Sequence, residues 1–331
     1  MYIIAEIAQA HEGSLGIAHS YIDALSLTGV DAVKFQVHIA EAESSEFEPF
    51  RVKFSHEDQT RFDYWKRMEF TKEQWTGLKL HCEEKGMEFM ASPFSNAAVD
   101  LLESINIKRY KIGSGELNNY LMLQKIANTG KPIIVSSGMS DWDELDQCIA
   151  FLKKSGNDLS LMQCTTAYPT QPEQWGLEML KTMKDRYQLP IGFSDHSANI
   201  YAGLAAATLG SEMLEFHVVF DKSMFGPDAK ASLTLAETKM MTEGIRMIER
   251  SIATKSDKAD IGHFKELKTM FGKSLAINKD LSAGHIISFD DLESKKPADK
   301  GISAKDFEKV LGRKLKTNLK QWSFLIWDHI E

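Results

Sequence analysis

Apolar and polar positions alternate along most of the chain in a regular order of strand followed by helix. Short apolar and β-branched runs predict buried strands, and the segments between them have the apolar spacing of amphipathic helices. The predicted strands are Tyr2–Ala8, Asp31–Val37, Met87–Ser92, Arg109–Gly113, Pro132–Ser136, Leu159–Cys164, Pro190–Ser194 and Met213–Val218. The predicted helices lie near Ile17–Leu27, Lys72–Lys85, Ala97–Ser104, Leu121–Asn128, Trp142–Lys154, Leu177–Asp185, Tyr201–Leu209 and Ala236–Ser251.

This repetition predicts an α/β fold of one particular kind. Eight strand and helix units in about 250 residues match a (β/α)8 TIM barrel in both number and size. Gly29, Gly86, Gly130 and Gly156 follow helical segments, where a left-handed C-terminal cap favours glycine. The spacing is uneven, with a long excursion at His38–Phe70 after the second strand. Long loops on a barrel are usually functional.

The pattern changes after Ser251. We predict a TIM-barrel catalytic domain over residues 1–252, a polar, lysine-rich linker over 253–270, and a small β-rich domain over 271–331. Short alternating strands such as Ser274–Ile277 and several turn signals favour that last assignment. A core of about 60 residues is marginal alone. We therefore expect this domain to dock on its own barrel or on that of a partner.

Composition and charge exclude several classes of protein. The 331 residues are 43% hydrophobic and 26% charged, which fits a soluble globular protein. Their apolar runs are too short to span a bilayer, and no signal peptide precedes Glu6, so we predict a cytoplasmic protein without a membrane partner. Cys82, Cys148 and Cys164 are expected to be reduced thiols. The net charge of −8 disfavours nucleic acid as a partner.

Candidate chemistry collects where the predicted strands end, which is where barrel enzymes carry their active sites. Lys34 and Lys111 lie within strands whose alternate neighbours are apolar, so both should point into the barrel. A buried lysine needs an anionic partner. One interpretation is a pair of structural ion pairs with Glu6 and Glu116, and the other is a clamp for phosphate or carboxylate.

Small hydroxyls favour the second interpretation. Ser92, Ser114, Ser136 and Ser194 each end a different strand beside one of the candidate residues. A single serine there is usually a cap or a turn former. Four of them together predict anion binding, since they add donors without bulk.

Two histidines suggest a metal. His196 and His217 end neighbouring strands, and Glu215 and Asp195 beside them are expected to orient the rings or share coordination. Two neutral imidazoles with open positions suit a Lewis acid that polarises a carbonyl. Histidine ligation admits Mn, Fe, Co or Zn.

The combined motifs resemble one family. They occur in family order across the barrel, and they resemble the sialic acid (nonulosonic acid) synthases, which join phosphoenolpyruvate to an amino sugar and carry a C-terminal antifreeze-like (β-clip) domain. The matching segments are Ala5-Glu6-Ile7, His11-Glu12-Gly13-Ser14, Val33-Lys34-Phe35-Gln36, Ser92-Pro93-Phe94-Ser95, Tyr110-Lys111-Ile112-Gly113-Ser114-Gly115-Glu116, Asn118-Asn119, Lys131-Pro132-Ile133-Ile134, Ser136-Ser137-Gly138-Met139, Cys164-Thr165, Tyr168-Pro169-Thr170, Gly192-Phe193-Ser194-Asp195-His196, Leu214-Glu215-Phe216-His217 and Gly226-Pro227-Asp228.

The resemblance implies roles for individual residues. It implies that His196 and His217 bind a divalent metal, Mn²⁺ with Mg²⁺ or Co²⁺ as alternatives. It implies catalytic roles for Glu6, Glu116 and Glu215. The residues implied to bind phosphoenolpyruvate are Lys34, Ser92, Lys111, Ser114, Ser136, Thr166 and Ser194. Those implied to bind the sugar are Gln36, Tyr168, Asp228 and Lys296. It also implies a domain-swapped homodimer in which each C-terminal domain closes the barrel of the other subunit.

Four positions depart from the family pattern. Ala10 and Thr166 stand where relatives usually carry asparagine, and Phe216 stands at an often basic position. Lys296 replaces an arginine that reaches the acyl group of the sugar, and lysine lacks the guanidinium fork. The acceptor therefore stays open between N-acetylmannosamine, a diamino-dideoxy hexose and a less usual aldose.

Two other functions remain as alternatives. A 3-deoxy sugar-acid phosphate synthase would act on a phosphorylated aldose, and it would need extra basic residues and no antifreeze-like domain. A catalytically silent sugar-binding paralogue would lack catalytic side chains, yet Glu6, Glu116, His196 and His217 are all present.

Overall fold

The computed structural model describes residues 1–52 and 54–331 and divides them into two compact units, Met1–Thr254 and Lys255–Glu331. The predicted domain boundary at residue 252 lies close to this division. Most of the predicted linker groups with the second unit, in which a short exposed helix spans Lys265–Phe271.

Eight parallel strands of the first unit close into a barrel, which confirms the predicted fold. They are β1 (Tyr2–Ala8), β2 (Ala32–Val37), β3 (Glu88–Pro93), β4 (Tyr110–Ile112), β5 (Ile133–Ser136), β6 (Leu159–Cys164), β7 (Ile191–Asp195) and β8 (Met213–Val219). Each strand pairs with the next, and β1 also pairs with β8. A two-residue strand, β9 (Leu233–Thr234), pairs with β8 from outside the barrel order.

Helices follow the strands and cover the barrel. They are α1 (Leu15–Leu25), α2 (Ala40–Glu43), α3 (Arg61–Met68), α4 (Lys72–Glu84), α5 (Asn96–Ser104), α6 (Tyr120–Ala127), α7 (Trp142–Lys153), α8 (Met179–Tyr187), α9 (Ile200–Thr208) and α10 (Leu235–Ala253). Capping boxes fix several starts, such as Thr60 with Asp63 at α3 and Thr234 with Glu237 at α10. None of the helices in the described ranges is both long and apolar enough to cross a membrane.

The barrel interior has an apolar floor and a polar upper layer. The floor is a buried cluster of Ile4, Ala32, Met90, Ile134, Met162 and Met213. Gly192 belongs to the same layer, where an added Cβ would lie 2.9 Å from Met162 and 3.0 Å from Met213. Since side chains on one face of a strand recur every two residues, the next inward positions are polar. These positions are Glu6, Lys34, Ser92, Ser136, Cys164, Ser194 and Glu215.

The excursion after β2 folds around a core of its own. It contains α2 and α3, and a separate cluster joins buried Ala40, Tyr64, Trp65 and Met68. The aromatic side chains of Tyr64 and Trp65 are thus packed inside the excursion and do not form an exposed stacking surface.

The second unit is small and rich in short extended segments. Its helix α11 (Lys265–Phe271) precedes an antiparallel pair of β10 (Ser274–Ile277) and β11 (Leu292–Lys295). Its core is a separate buried cluster that includes Leu275, Ile287 and Leu325.

Candidate active site

A cavity of about 470 Å³ opens at the C-terminal ends of the barrel strands. Fifteen of the sixteen predicted site residues line it, and all fifteen belong to the first unit. They are Glu6, Lys34, Gln36, Ser92, Lys111, Ser114, Glu116, Ser136, Thr166, Tyr168, Ser194, His196, Glu215, His217 and Asp228.

Lys34 and Lys111 lie at the base of the cavity and are almost completely buried. Lys34 Nζ is 2.5 Å from Glu6 Oε1 and 3.5 Å from Glu215 Oε1. Lys111 Nζ is 3.2 Å from the same Glu215 oxygen and donates to Ser136 Oγ at 2.6 Å. Two cations and two carboxylates are therefore held together within the barrel, out of contact with bulk water.

The interpretation as structural ion pairs placed Glu116 beside Lys111, but Lys111 pairs with Glu215 instead. Glu116 lies on a turn after β4, where its carboxylate accepts a hydrogen bond from Asn119 Nδ2 at 2.9 Å. Glu215 takes its place because β8 directs that side chain inward, towards both lysines. Burial raises the pKa of Glu116 above its ordinary value.

The pKa of Glu6 is shifted in the opposite direction. Burial alone would raise its pKa, but the adjacent Lys34 and His217 lower the pKa well below the ordinary value. Glu6 is thus a carboxylate at neutral pH. Its neighbour Glu215 keeps one oxygen, Oε2, without a hydrogen-bond partner among the described residues. A buried acceptor of this kind is a place for a ligand proton or an ordered water.

The predicted serines surround the lysines at close range. Ser92 Oγ is 3.3 Å from Lys34 Nζ, and Ser194 Oγ is 3.4 Å from Glu215 Oε1. Ser114 Oγ accepts from the amide of Gly138 at 3.0 Å. A Cβ on Gly138 would lie 2.5 Å from Thr166 Oγ1 and 2.6 Å from Ser114 Oγ, so only glycine permits this packing of hydroxyls.

The two histidines face each other across the cavity, with ring centroids 5.4 Å apart. His196 Nδ1 lies 3.1 Å from the carbonyl oxygen of Thr165. Burial alone would lower the pKa of His196, but Cys164 and this carbonyl raise it to about 9, so the ring has to lose a proton before its Nε2 can bind a metal. His217 Nε2 lies 3.4 Å from Glu6 Oε2. Burial lowers the pKa of His217, which favours the neutral imidazole that a metal requires.

The acidic neighbours predicted to support these rings do not do so. Asp195 faces away from the barrel interior, and its carboxylate accepts from the amide and the hydroxyl of Ser197, both at 2.9 Å. Glu215 contacts the lysines. Two imidazoles fit a divalent ion whose other positions come from water or substrate. Within the described ranges, no three His, Cys, Asp or Glu side chains are placed together to hold a metal ion.

Thirteen residues that line the cavity were not among the predicted ones, and six of them belong to the excursion. His38 lies between the rings of Trp65 and Phe94, at centroid distances of 3.8 and 4.4 Å, and Glu43 Oε1 is 2.5 Å from its Nδ1. Gln9 Nε2 lies 2.6 Å from His38 Nε2. The length of the excursion was a signal of function, but no periodic pattern marked these individual residues.

Asp228 and Lys296, both predicted to bind the sugar, have other partners in the structure. Asp228, predicted to contact the sugar, is ion-paired with Arg51 at 2.6 Å, and the Arg51 guanidinium lies 4.3 Å above the ring of Tyr168. Lys296 belongs to the second unit, where its ammonium lies 4.9 Å from the centroid of Phe271. Its predicted contact with the sugar stays a prediction.

These features define a class of protein, a (β/α)8 barrel with a buried pair of lysines at its catalytic end and a small antiparallel unit after it. The sequence matches the profile of the NeuB family over residues 21–257 and that of the SAF domain over 272–331. The chain therefore belongs to the NeuB family and ends in a SAF domain, which confirms the predicted resemblance.

Individual relatives cover almost the whole chain. An N,N'-diacetyllegionaminic acid synthase of Campylobacter jejuni is 35% identical, over 96% of this chain and 97% of its own. The human N-acetylneuraminate-9-phosphate synthase is 31% identical, over 97% and 90%. A solved N-acetylneuraminic acid synthetase from Leptospira borgpetersenii, in complex with citrate, is 28% identical with a TM-score of 0.71, covering 81% of this chain and 90% of that one.

Proposed function

We propose that the protein condenses phosphoenolpyruvate with the open-chain aldehyde of an N-acylated amino sugar. The enol carbon of phosphoenolpyruvate forms a bond to the aldehyde carbon, whose oxygen takes up a proton. Water then adds to the oxocarbenium carbon and loses a proton, and phosphate leaves with cleavage of its C–O bond. The products are a nonulosonic acid and inorganic phosphate.

One observation carries this proposal: the buried cluster of two lysines and surrounding hydroxyls at the catalytic end of the barrel. Lys34 and Lys111 are point charges suited to the phosphate and carboxylate of phosphoenolpyruvate. Ser92, Ser114, Ser136, Ser194 and Thr166 supply hydroxyl donors around them. The printed activities of the relatives, which include a legionaminic acid synthase and an N-acetylneuraminate-9-phosphate synthase, support the same substrate classes.

The three glutamates have different parts in the reaction. Glu116, with its raised pKa, is suited to give a proton to the aldehyde oxygen. Glu6 remains a carboxylate beside Lys34, and its lowered pKa makes it a weak base, so its part is to hold Lys34 and His217 in place. Glu215 shares the neutralisation of the two lysines with Glu6 before substrate binds, and its free oxygen is available to receive the proton that the attacking water loses.

His196 and His217 would hold a divalent ion, Mn²⁺ with Mg²⁺ or Co²⁺ as alternatives. When bound, such an ion supplies Lewis-acid polarisation of the acceptor aldehyde. The protein itself fixes the ring of His196 through the carbonyl of Thr165 and packs Tyr168 against it at 4.3 Å. Gln36, Tyr168 and Asp228 line the part of the cavity assigned to the sugar.

We further propose a homodimer in which the C-terminal unit of one subunit closes the barrel of the other, with Lys296 reaching the acceptor. The second unit exposes large apolar side chains, including Phe289, Trp322 and Trp327, which is consistent with a covered surface. A cytoplasmic location stays a prediction from the sequence.

A phosphate-release assay tests the reaction. The purified protein is given phosphoenolpyruvate, Mn²⁺ and a panel of hexosamines, and products are identified by mass spectrometry. We expect phosphate and a nine-carbon product in equal amounts with at least one acceptor. Chelation should abolish turnover, and added Mn²⁺ should restore it. Absence of phosphate release with every acceptor would contradict the proposal, and H217Q serves as the inactive control.

A further inference from the structure

Arg61 is a buried cation for which the proposed reaction has no role. Its side chain is only 13% exposed, and it lines the cavity from the first turn of α3. Its Nε and Nη1 atoms are shielded from solvent, and no hydrogen bond connects its guanidinium to any residue within 1–52 or 54–331. A desolvated guanidinium with unused donors is costly, so this arrangement calls for a ligand.

Glu48 is the carboxylate within 4 Å of Arg61, and it already accepts hydrogen bonds from other residues. Glu48 Oε1 lies 3.4 Å from Arg61 Nε, outside hydrogen-bond geometry. Both Glu48 oxygens accept instead from Trp65 Nε1, at 3.0 and 3.3 Å, and Oε2 also accepts from the hydroxyl of Ser44. Glu48 therefore balances charge near Arg61 but leaves the guanidinium fork free.

Aromatic stacking holds Arg61 in place without using its hydrogen-bond donors. The guanidinium carbon lies 4.3 Å from the ring centroid of Trp65, and Trp65 stacks on His38 at 3.8 Å. This column of side chains fixes the plane of the guanidinium before any ligand arrives. A planar fork fixed in this way matches the paired oxygens of a carboxylate or phosphate.

The position of Arg61 indicates which part of the substrate it meets. Lys34 and Lys111 lie within strands, at the base of the cavity, whereas Arg61 belongs to the excursion beyond the strand ends. If phosphoenolpyruvate binds on the lysines and the acceptor aldehyde beside it, the excursion side of the cavity is what is left for the remote end of the acceptor. Arg51, the other arginine lining the cavity, is already paired with Asp228.

We infer that Arg61 forms an oxyanion subsite, and that the acceptor carries a phosphate or carboxylate on the carbon furthest from its aldehyde. This inference rests on the proposed condensation and specifies its substrate class. It accounts for both the buried guanidinium donors that make no hydrogen bond and the stacking that orients them.

Three acceptors distinguish the possible ligands: N-acetylmannosamine, its 6-phosphate, and the corresponding 6-carboxylate. We expect the wild-type kcat/KM to favour one oxyanion acceptor over the neutral sugar by about 100-fold, the effect of one charged hydrogen-bonded pair. Preference for phosphate or for carboxylate identifies the group. Equal or better turnover of the neutral sugar overturns the inference, while the proposed reaction stands. Phosphate release only with an uncharged sugar of the hexosamine panel also overturns the inference, whereas release with none of the three and with no sugar of that panel overturns the reaction itself.

Variants of Arg61 test whether this residue causes the preference for the oxyanion acceptor. R61M should bring the ratio of the two kcat/KM values close to 1, and R61K, which keeps the charge without the fork, should give an intermediate ratio. K66Q removes a cation from an exposed position of the same helix and should leave the ratio unchanged. An unaltered ratio in R61M contradicts the inference.

A binding measurement does not depend on turnover. In the presence of phosphoenolpyruvate, the preferred oxyanion sugar should raise the thermal unfolding midpoint of the wild type and of K66Q, but much less that of R61M. Equal shifts in wild type and R61M would overturn the subsite even if every variant were inactive.

Discussion

At the scale of single residues, the arrangement of charge inside the barrel explains how an acidic protein can bind an anionic substrate. The net charge of −8 describes the whole chain, whereas Lys34 and Lys111 are confined to one small buried region. Glu6 and Glu215 neutralise them in the free protein. Because the interior has a low effective dielectric constant, the lysines still attract a phosphate that reaches them.

Substitution of Lys111 tests whether this residue forms a structural ion pair or binds the substrate. K111M leaves Glu215 with Lys34 as its one remaining cation, so we expect the free energy of unfolding to fall by about 3 kcal/mol. The double variant K111M/E215Q removes the unbalanced charge and should recover most of that loss. If Lys111 binds phosphoenolpyruvate, the double variant should still bind it at least about 100-fold more weakly than wild type.

Urea unfolding and calorimetric titration with phosphoenolpyruvate measure these two effects separately. Recovery of both stability and affinity in the double variant would show that Lys111 is structural. Lys108 is exposed, and it provides the matched control K108M, which should alter neither quantity.

At the scale of elements, the strand and helix limits were predictable to within about two residues because each has a local cause. Period-two alternation fixes the strands, and capping residues such as Thr234 fix helix starts. The same alternation placed Lys34 inside the barrel. Applied to β7, it also shows that Asp195, next to inward Ser194, must face outward, so that error was avoidable.

Other features depend on the closed barrel and could not be predicted locally. Lys111 pairs with Glu215 because β4 and β8 direct these side chains into one interior, although 104 residues separate them in sequence. The excursion presents Arg61 and His38 to the cavity around a small aromatic core, and the capping signal that starts α3 does not indicate which of its side chains face the cavity. Length alone marked that segment as functional.

A further prediction concerns Asp291, beside the start of β11. Its buried carboxylate accepts from Lys279 Nζ, His285 Nε2 and the Ser288 amide, each at 2.8 Å. These partners lower its pKa well below the ordinary value despite burial. Because the folded-state pKa is depressed, the stabilisation is complete above about pH 5 and is lost progressively as pH falls from the unfolded value near 4 towards the lower folded-state pKa.

We therefore expect D291N to destabilise the second unit by about 1–3 kcal/mol at pH 7, and less below pH 4, where the wild-type carboxylate loses the same advantage. Hydrogen exchange of peptides covering β10 and β11, measured in the full chain at matched pH, reports this difference. The exposed neighbour supplies the control D290N. A destabilisation that grows towards low pH would contradict the assigned cause.

At the scale of the whole molecule, the proposed dimer makes each active site depend on two chains. A monomer in light scattering at micromolar concentration would contradict it directly. A sharper test uses two variants, K111M with an intact C-terminal unit and K296A with an intact barrel. Each should be strongly impaired alone, because each lacks one contributor to every site.

Mixing the two variants after dissociation shows whether each C-terminal unit closes the barrel of the other subunit or that of its own chain. Random pairing makes half of the dimers hybrid, and each hybrid has one site with both an intact barrel and an intact Lys296. Activity should therefore return to about a quarter of the wild-type value. If each C-terminal unit served its own barrel, no mixture would contain a complete site and activity would stay at the level of the separate variants. Full activity of K296A alone would instead exclude Lys296 from acceptor binding and leave light scattering to decide the assembly.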